Sequence, residues 1–284
     1  MLSSNQKRFI PRIIHQCVAD KNNVRHEYRD NINNMQIRNP LYQHMLYDDN
    51  DIEDFLRAEY GQRVLDKYLR IAPGYGASKA DFFRYALLYK RGGIYLDIKS
   101  TCDLPFDDVL NADDRYILSH WRNTDRSHPH YKWGVFDDIA HMPHGEYQQW
   151  HIIAEPGHAY LEAVLALMLE RIDRYKPWTT GFGHMGVMRT TGPIMYSQAI
   201  DPIRDRHSHR VIANETVIGL RYSIFEGQHD HRRDAKHYGD SFDPVFQMDG
   251  SLRLASAAYL GMVKTGDRYV RQPMRRLAHT LRGR

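Results

Sequence analysis

The chain has 284 residues, 42% hydrophobic and 26% charged, with a net charge of +4 and 17 histidines. This is ordinary globular composition with room for one large domain or two small ones, and the slight cationic bias suits nucleotide diphosphates or phospholipid headgroups without demanding them. With only Cys17 and Cys102, a disulfide framework is excluded and a reducing compartment is favoured; no apolar run approaches the length of a membrane span. Met1 to Phe9 is polar and short, without the apolar centre of a signal peptide.

In chain order, Arg12 to Cys17 reads as a buried strand with Ile13 and Ile14 at its centre. His15 and Gln16 fall at its carboxyl end, either beside a nucleotide base or ribose or as hydrogen-bonded structural residues. Residues 20–38 are rich in Asn and charge and read as a loop with a short helix. Leu41 to Tyr47 reads as a second strand. The acidic run Asp48, Asp49, Asn50, Asp51 reads as a cap for a helix over Ile52 to Tyr60 rather than as a metal site. Gly61 to Ile71 reads as a further helix, ended by the break Ala72-Pro73-Gly74-Tyr75-Gly76.

Ser78 to Ser100 organises the rest. Ser78 and Asp81 have the spacing of a capping box, and Phe82, Tyr85, Ala86 and Tyr89 recur at helical spacing on one face. Gly92 and Gly93 supply a stop that residues with a β-carbon resist. Ile94, Tyr95 and Leu96 form a short strand closed by Asp97, the place where open α/β folds put ligand chemistry. Beyond it, strands are expected at Tyr116–Trp121, Lys132–Phe136, Trp150–Ala154, Val211–Ala213 and Tyr222–Phe225, with an exposed loop over 122–130. His158 to Tyr175 is the longest helical pattern, with Leu161, Leu165, Met168, Leu169 and Ile172 on its apolar face. The glycine-rich stretch from Pro177 to Gly192 reads by composition as an ordinary loop, although its glycines and hydroxyls at a helix start could cradle a phosphate, with Thr191-Gly192-Pro193 opening a helix over Ile194–Ala199. The tail after Asp267 is rich in arginine and has no acid, the composition of a solvated end or of an anchor near anionic lipid.

The segment K-A-D-F-F-R-Y-A-L-L-Y-K-R-G-G-I-Y-L-D, Lys79 to Asp97, resembles the core of the DXD-motif sugar transferases, glycosyltransferase family 32. Ile10 to Gln16, Asn39-Pro40 through Asp49, Thr191-Gly192-Pro193 and His237 to Phe242 resemble the family's other signatures in register. The resemblance implies an α/β fold of the GT-A type, Rossmann-like, with a mostly parallel central sheet flanked by helices. It implies a transferase domain over 1–250 followed by a helical basic extension over 251–284, and a substrate-lining loop from Pro177 to Gly192. The implied activity is transfer of a hexose, with retained anomeric configuration, from a nucleotide-diphosphate sugar to a glycan or lipid-linked acceptor. A bacterial surface polysaccharide, capsule or lipopolysaccharide, is the expected product class. A cytoplasmic enzyme with peripheral contact at the inner membrane surface is expected, and no nucleic-acid partner.

The candidate donor-binding residues are His15, Gln16, Asp81, Arg84, Tyr95, Thr191 and Gly192, and the candidate catalytic residues are Asp97 and Lys99; of these the resemblance itself assigns Asp81 and Arg84 to the donor sugar and Asp97 to the DXD position. Asp81 and Arg84 share a helix face and are read as the donor-sugar pair; the alternative is a cap and a surface charge. Asp97 is the first carboxylate of the DXD pattern, and Lys99 stands where the second belongs. Three readings follow: Lys99 neutralises the diphosphate itself, Asp97 binds Mn²⁺ or Mg²⁺ with His237 or Asp103, or Lys99 pairs with Asp97. His229 and His231 give a weak chelating pair. The lysine also motivates a second class, a non-catalytic nucleotide-sugar-binding or scaffold protein. A glycoside hydrolase ranks last, because no pair of flanking carboxylates is assignable.

Overall fold

The computed structural model of the chain describes residues 8–225, 239 and 241–267. The first half runs β1 (Ile13–Cys17), α1 (His26–Arg38), β2 (Gln43–Tyr47), α2 (Asp49–Tyr60), α3 (Gln62–Leu69), α4 (Gly76–Arg91), β3 (Gly93–Leu96) and β4 (Thr101–Cys102). It continues through α5 (Phe106–Val109), β5 (Tyr116–Ser119), β6 (His151–Ala154), α6 (Ala159–Arg174), α7 (Gly183–Thr190) and α8 (Pro193–Ile200). It closes with β7 (Arg210–Ile212), β8 (Leu220–Arg221) and α9 (Gly250–Gly266).

Six strands form one sheet in the order β2-β1-β3-β6-β5-β7, and β4 pairs with β8 in a separate ribbon. Every neighbouring pair in the large sheet is parallel except those made by β6, which runs against both β3 and β5. A sheet covered by helices on both faces needs apolar side chains both up and down. Alternation delivers them: Tyr95, Ile152, Ala154, Tyr116 and Leu118 enter the core under α4 and α6. Ile94, Leu96, Ile153 and Ile117 point the other way, towards Met35 of α1.

The acidic turn caps as expected. Asp48 accepts from the backbone of Asn50 and Asp51, and Asp51 returns the bond to the backbone of Asp48. The expected capping box at Ser78 and Asp81 is overturned, because the helix starts earlier, at Gly76, with Tyr75 before it. Ser78 is therefore inside the first turn, where its hydroxyl meets that of Thr191 at 2.7 Å. Nor does α4 bury one face only. Phe82 through Leu88 are all buried, because the helix is sandwiched between the sheet, α6 and α2.

Other local expectations change for identifiable reasons. Residues 26–38 form a helix of 13 residues whose periodicity is masked by polarity, with only Asn31 and Met35 buried. Lys132 to Phe136 is not a strand: Lys132 (φ 65°) and Gly134 (φ 73°) turn the chain there. The second ribbon strand is Leu220–Arg221 rather than Tyr222–Phe225. The stretch from Pro177 to Gly192 is only partly a loop, since Gly183–Thr190 is helical. No helix among the described residues is long and apolar enough to cross a membrane.

The Gly92-Gly93 junction fixes the angle between α4 and β3. Gly92 (φ 60°, ψ −166°) occupies a region that essentially only glycine visits, and an added Cβ would lie 2.6 Å from both the nitrogen and Cδ of Pro156. Gly92→Ala is expected to lower the unfolding free energy by about 3 kcal/mol, through strain and the backbone clash together. Urea denaturation checks this; a loss below about 1 kcal/mol would show that the junction relaxes.

Candidate active site

Parallel strands present their carboxyl ends at one edge, and because β6 is reversed its amino end arrives at that same edge. Leu96 lies opposite His151, and the backbone N–H of Asp97 donates to the carbonyl of Trp150 at 2.9 Å. Gln16 steadies the next peptide from the other side, its Nε2 donating to the carbonyl of Asp97 at 3.2 Å. Asp97 is thus held by its backbone from both neighbouring strands, and its side chain stands at the edge.

Beneath it lies a charged cluster built from α4. Arg84 Nη2 donates to Asp97 Oδ1 at 2.8 Å and lies 3.4 Å from Asp81 Oδ1. Arg84 Nη1 donates to the carbonyl of Gln149 at 2.6 Å, and the guanidinium sits 4.7 Å from the ring centroid of Tyr95. Asp81 accepts from Gln149 Nε2 and from the Thr191 hydroxyl, each at 3.0 Å. Arg84 and Asp81 are each only 3% exposed. Burial pushes the Asp81 carboxyl up to about 6 against the pull of Arg84, Gln149 and Thr191. Burial also opposes the charge on Arg84, but the carboxylates of Asp97 and Asp81 outweigh it and hold the guanidinium protonated.

Asp81, Arg84, Asp97 and Lys99 line one cavity of about 640 Å³. Its opposite end is aromatic, walled by Trp121, Trp133, Trp150 and Tyr222. Lys99 marks the border between the two ends: its Nζ donates to the Tyr222 hydroxyl at 2.7 Å and lies 4.0 Å from that ring's centroid. The ion-pair partner of Asp97 is Arg84, so the expected alternative of a Lys99–Asp97 salt bridge is not what the chain adopts.

The other expected site residues lie behind the cavity wall. His15 is 1% exposed, bonded to the carbonyl of Gly92 at 3.0 Å and to the Tyr47 hydroxyl at 3.1 Å. Burial lowers its pKa to about 4, so it is neutral. Gln16 accepts from His44 Nε2 at 2.9 Å besides steadying Asp97. Tyr95 and Thr191 brace Arg84 and Asp81 from behind, and Gly192 begins α8. His237, His229 and His231 lie outside the described residues.

Six contributors go unassigned in sequence: Gln149, Glu146, Trp121, Trp133, Trp150 and Tyr222. All but Tyr222 lie in 120–150, and no local signal marks them as site residues. Gln149 is the hub of the polar end, its Oε1 accepting from Arg84 Nη1 at 3.1 Å and from the Tyr85 hydroxyl at 2.8 Å. The described residues do not make a divalent-cation site. Asp97 faces an arginine and stands two residues before a lysine, Asp103 is paired with Arg221, and no three His, Cys, Asp or Glu side chains converge.

Fold and site define an α/β protein of the GT-A class, with an acid-arginine cluster at the carboxyl edge of its sheet. Residues 25–117 match the family model described as a glycosyltransferase sugar-binding region containing a DXD motif, about a third of the chain. Inositol phosphoceramide mannosyltransferase 3 of Schizosaccharomyces pombe is 32% identical over 38% of this chain and 29% of its own length. The initiation-specific alpha-1,6-mannosyltransferase of Candida albicans is 28% identical over 57% of this chain and 44% of its own length. The chain thus spans less than half of either curated relative. Among solved structures, the PaToxG glycosyltransferase shares the fold with a TM-score of 0.50 and 16% identity, over 69% of this chain and 70% of that one.

Proposed function

We propose that this chain transfers a hexose, mannose being the first to test, from a nucleotide-diphosphate sugar to a glycan or lipid-linked acceptor. The observation that carries the reading is the Asp81–Arg84–Asp97 cluster on the floor of the cavity, with Asp81 and Arg84 buried, Asp97 half-buried, and Gln149 and Tyr85 bracing it. A carboxylate flanked by a guanidinium offers the acceptor and donor pattern that the hydroxyls of a sugar require. Asp81 and Arg84 orient the donor sugar, and Asp97 faces the ribose or diphosphate. Lys99, and beyond it Lys132 on the cavity wall, bring positive charge to the leaving diphosphate, where negative charge grows in the transition state. The names of the fungal relatives support mannose, and the notion of a bacterial surface polysaccharide as product belongs to the same proposal.

The expected peripheral contact with a membrane is also part of the proposal. Helix α9 exposes Leu252, Leu254 and Met262 just ahead of the arginine-rich tail. Co-sedimentation with anionic vesicles at low and high salt tests it; binding unaffected by anionic lipid content would discard it.

The activity test is hydrolysis or transfer from GDP- and UDP-sugars with EDTA, Mg²⁺ or Mn²⁺. Asp97→Ala is expected to reduce turnover at least about a hundredfold. Turnover that survives EDTA but is lost in Lys99→Ala would make the lysine the cation at the diphosphate. Absence of nucleotide-sugar binding by calorimetry would remove the reading. Binding without turnover, with any acceptor tried, would favour the second class, a non-catalytic binding protein, which the lysine at position 99 itself motivates.

A further inference from the structure

The aromatic end of the cavity contains two buried polar atoms with no partner among the described residues. Glu146 is 5% exposed; its Oε1 accepts from Trp121 Nε1 at 2.7 Å, while its Oε2 has no partner among the described residues. The indole N–H of Trp150, 4% exposed, likewise has none. Both residues line the cavity. An unmade bond at a buried polar atom costs about 1–3 kcal/mol, so such atoms at a cavity wall favour a ligand that completes them.

The chemistry of the pair narrows that ligand. Burial drives the Glu146 carboxyl up to about 8, against the hydrogen bond from Trp121, so the group is chiefly the neutral acid at pH 7. A neutral carboxyl both donates and accepts, and an indole N–H only donates. A hydroxyl-bearing ligand satisfies both. A cation would gain nothing from Trp150, and a diphosphate, which needs cations, would gain nothing from a neutral carboxyl that must also accept.

The surrounding rings fit a sugar. Trp121 packs edge-on to Trp133 and to Tyr222, each pair at 5.2 Å between centroids, and Trp150 packs edge-on to Tyr222 at 5.5 Å. A pyranose presents an apolar C–H face that lies on aromatic surface and a rim of hydroxyls that need partners, the mixture that ligand pockets supply. The wall is also prebuilt. Glu146 N donates to the carbonyl of Gly134 at 2.8 Å, and Asn123 Nδ2 donates to the carbonyls of Trp133 at 2.8 Å and His144 at 3.0 Å. Gly134, at φ 73°, approaches so closely that an added Cβ would be 2.7 Å from both Glu146 Cγ and Trp121 Cδ1.

We propose that this end is a second carbohydrate subsite, which takes the ring of a glycan acceptor, with Glu146 and Trp150 bonding its hydroxyls. It builds on the transferase reading, which assigns the donor to the Asp81–Arg84–Asp97 end. It makes the acceptor a sugar rather than a bare lipid headgroup.

Tryptophan fluorescence of the full chain, titrated with methyl α-mannoside, methyl α-glucoside and methyl α-galactoside with and without saturating GDP or UDP, tests the proposal. At least one glycoside is expected to bind in the millimolar range. Glu146→Ala should weaken it about tenfold or more, whereas Glu146→Gln, which keeps one donor and one acceptor, should stay within about threefold. Trp133→Ala, at a half-buried ring, should weaken binding too and covers the case in which Glu146→Ala fails to fold. Binding of free uridine or guanosine to these rings, with no glycoside bound, would overturn the proposal, as would glycoside binding unchanged in Glu146→Ala. Nucleotide-sugar binding is measured separately. Glycoside binding without it would remove the transferase reading and leave the subsite, and the reverse would remove the subsite alone.

Discussion

Arg84→Met is expected to be the most damaging single substitution in the molecule, costing about 3–5 kcal/mol of stability and all detectable nucleotide-sugar turnover. The guanidinium compensates two carboxylates at once, Asp81 and Asp97, and both Arg84 and Asp81 are almost wholly buried. Methionine fills much of the volume but leaves the acids facing each other with no counter-charge. Asp81, already raised to about 6 by burial, should then rise further. The sign of the pH effect follows. A carboxyl whose folded pKa lies above its unfolded value holds a proton that the unfolded chain releases, so stability falls as pH rises between the two values. The variant should therefore regain stability on acidification from pH 8 towards pH 5, and Arg84→Met/Asp97→Asn should recover part of the loss without recovering activity. Urea denaturation of the three proteins at both pH values measures this. Equal midpoints for wild type and Arg84→Met would show that the cluster is not held by the guanidinium.

The second large effect has the opposite sign. Glu146→Gln should stabilise the fold, and more at pH 8 than at pH 5. Burial holds the native carboxyl protonated up to about 8, against a reference of 4.5, so across that interval ionisation favours the unfolded chain. At about 1.4 kcal/mol for each pH unit crossed, the wild type forfeits several kcal/mol between those limits, and the amide forfeits none. Buried histidines act in the other direction. His15, His44, His120 and His130, each lowered to about 4 by burial, and His151, lowered to about 3, must charge as pH falls, so they remove stability below about 6.5. The informative quantity is therefore the difference between wild type and Glu146→Gln at each pH, in which the histidine contributions cancel. Parallel stability curves for the two proteins would mean that Glu146 is ionised in the folded state.

What the sequence revealed follows from the range of the interactions involved. The helix over 159–174 and the Gly92-Gly93 step into β3 were legible because each is written in adjacent residues, as periodicity or as backbone freedom. The pairing of Asp81 with Arg84 was legible for the same reason, since both lie on one helix three residues apart. Ser78 misled because its hydroxyl answers to Thr191, a residue 113 positions away, and not to its own helix end. His15 and Gln16 sit where a strand ends at a sheet edge, but the structure uses their polar atoms to bond Gly92, Tyr47, His44 and Asp97. Gln149 and Trp150 were invisible because they precede a reversed strand, which no local pattern announces, and Glu146, Trp121 and Trp133 because the segment joining β5 to β6 folds back through contacts that are remote in sequence.

That reversal also makes the cavity modular. Residues 120–150 depart from the carboxyl edge at the end of β5 and rejoin it at the start of β6, a closed excursion whose two feet are fixed by neighbouring strands. Doubling such an excursion adds only about 0.6 kcal/mol of closure entropy and does not shift any strand register. The charged floor belongs to α4 and the turn after β3, with Gln149 joining it from the last residues of the excursion, whereas most of the aromatic wall rides on the excursion. A lineage could therefore exchange the aromatic wall for another while α4, the turn after β3 and Gln149 at the excursion's foot keep the charged floor as it is.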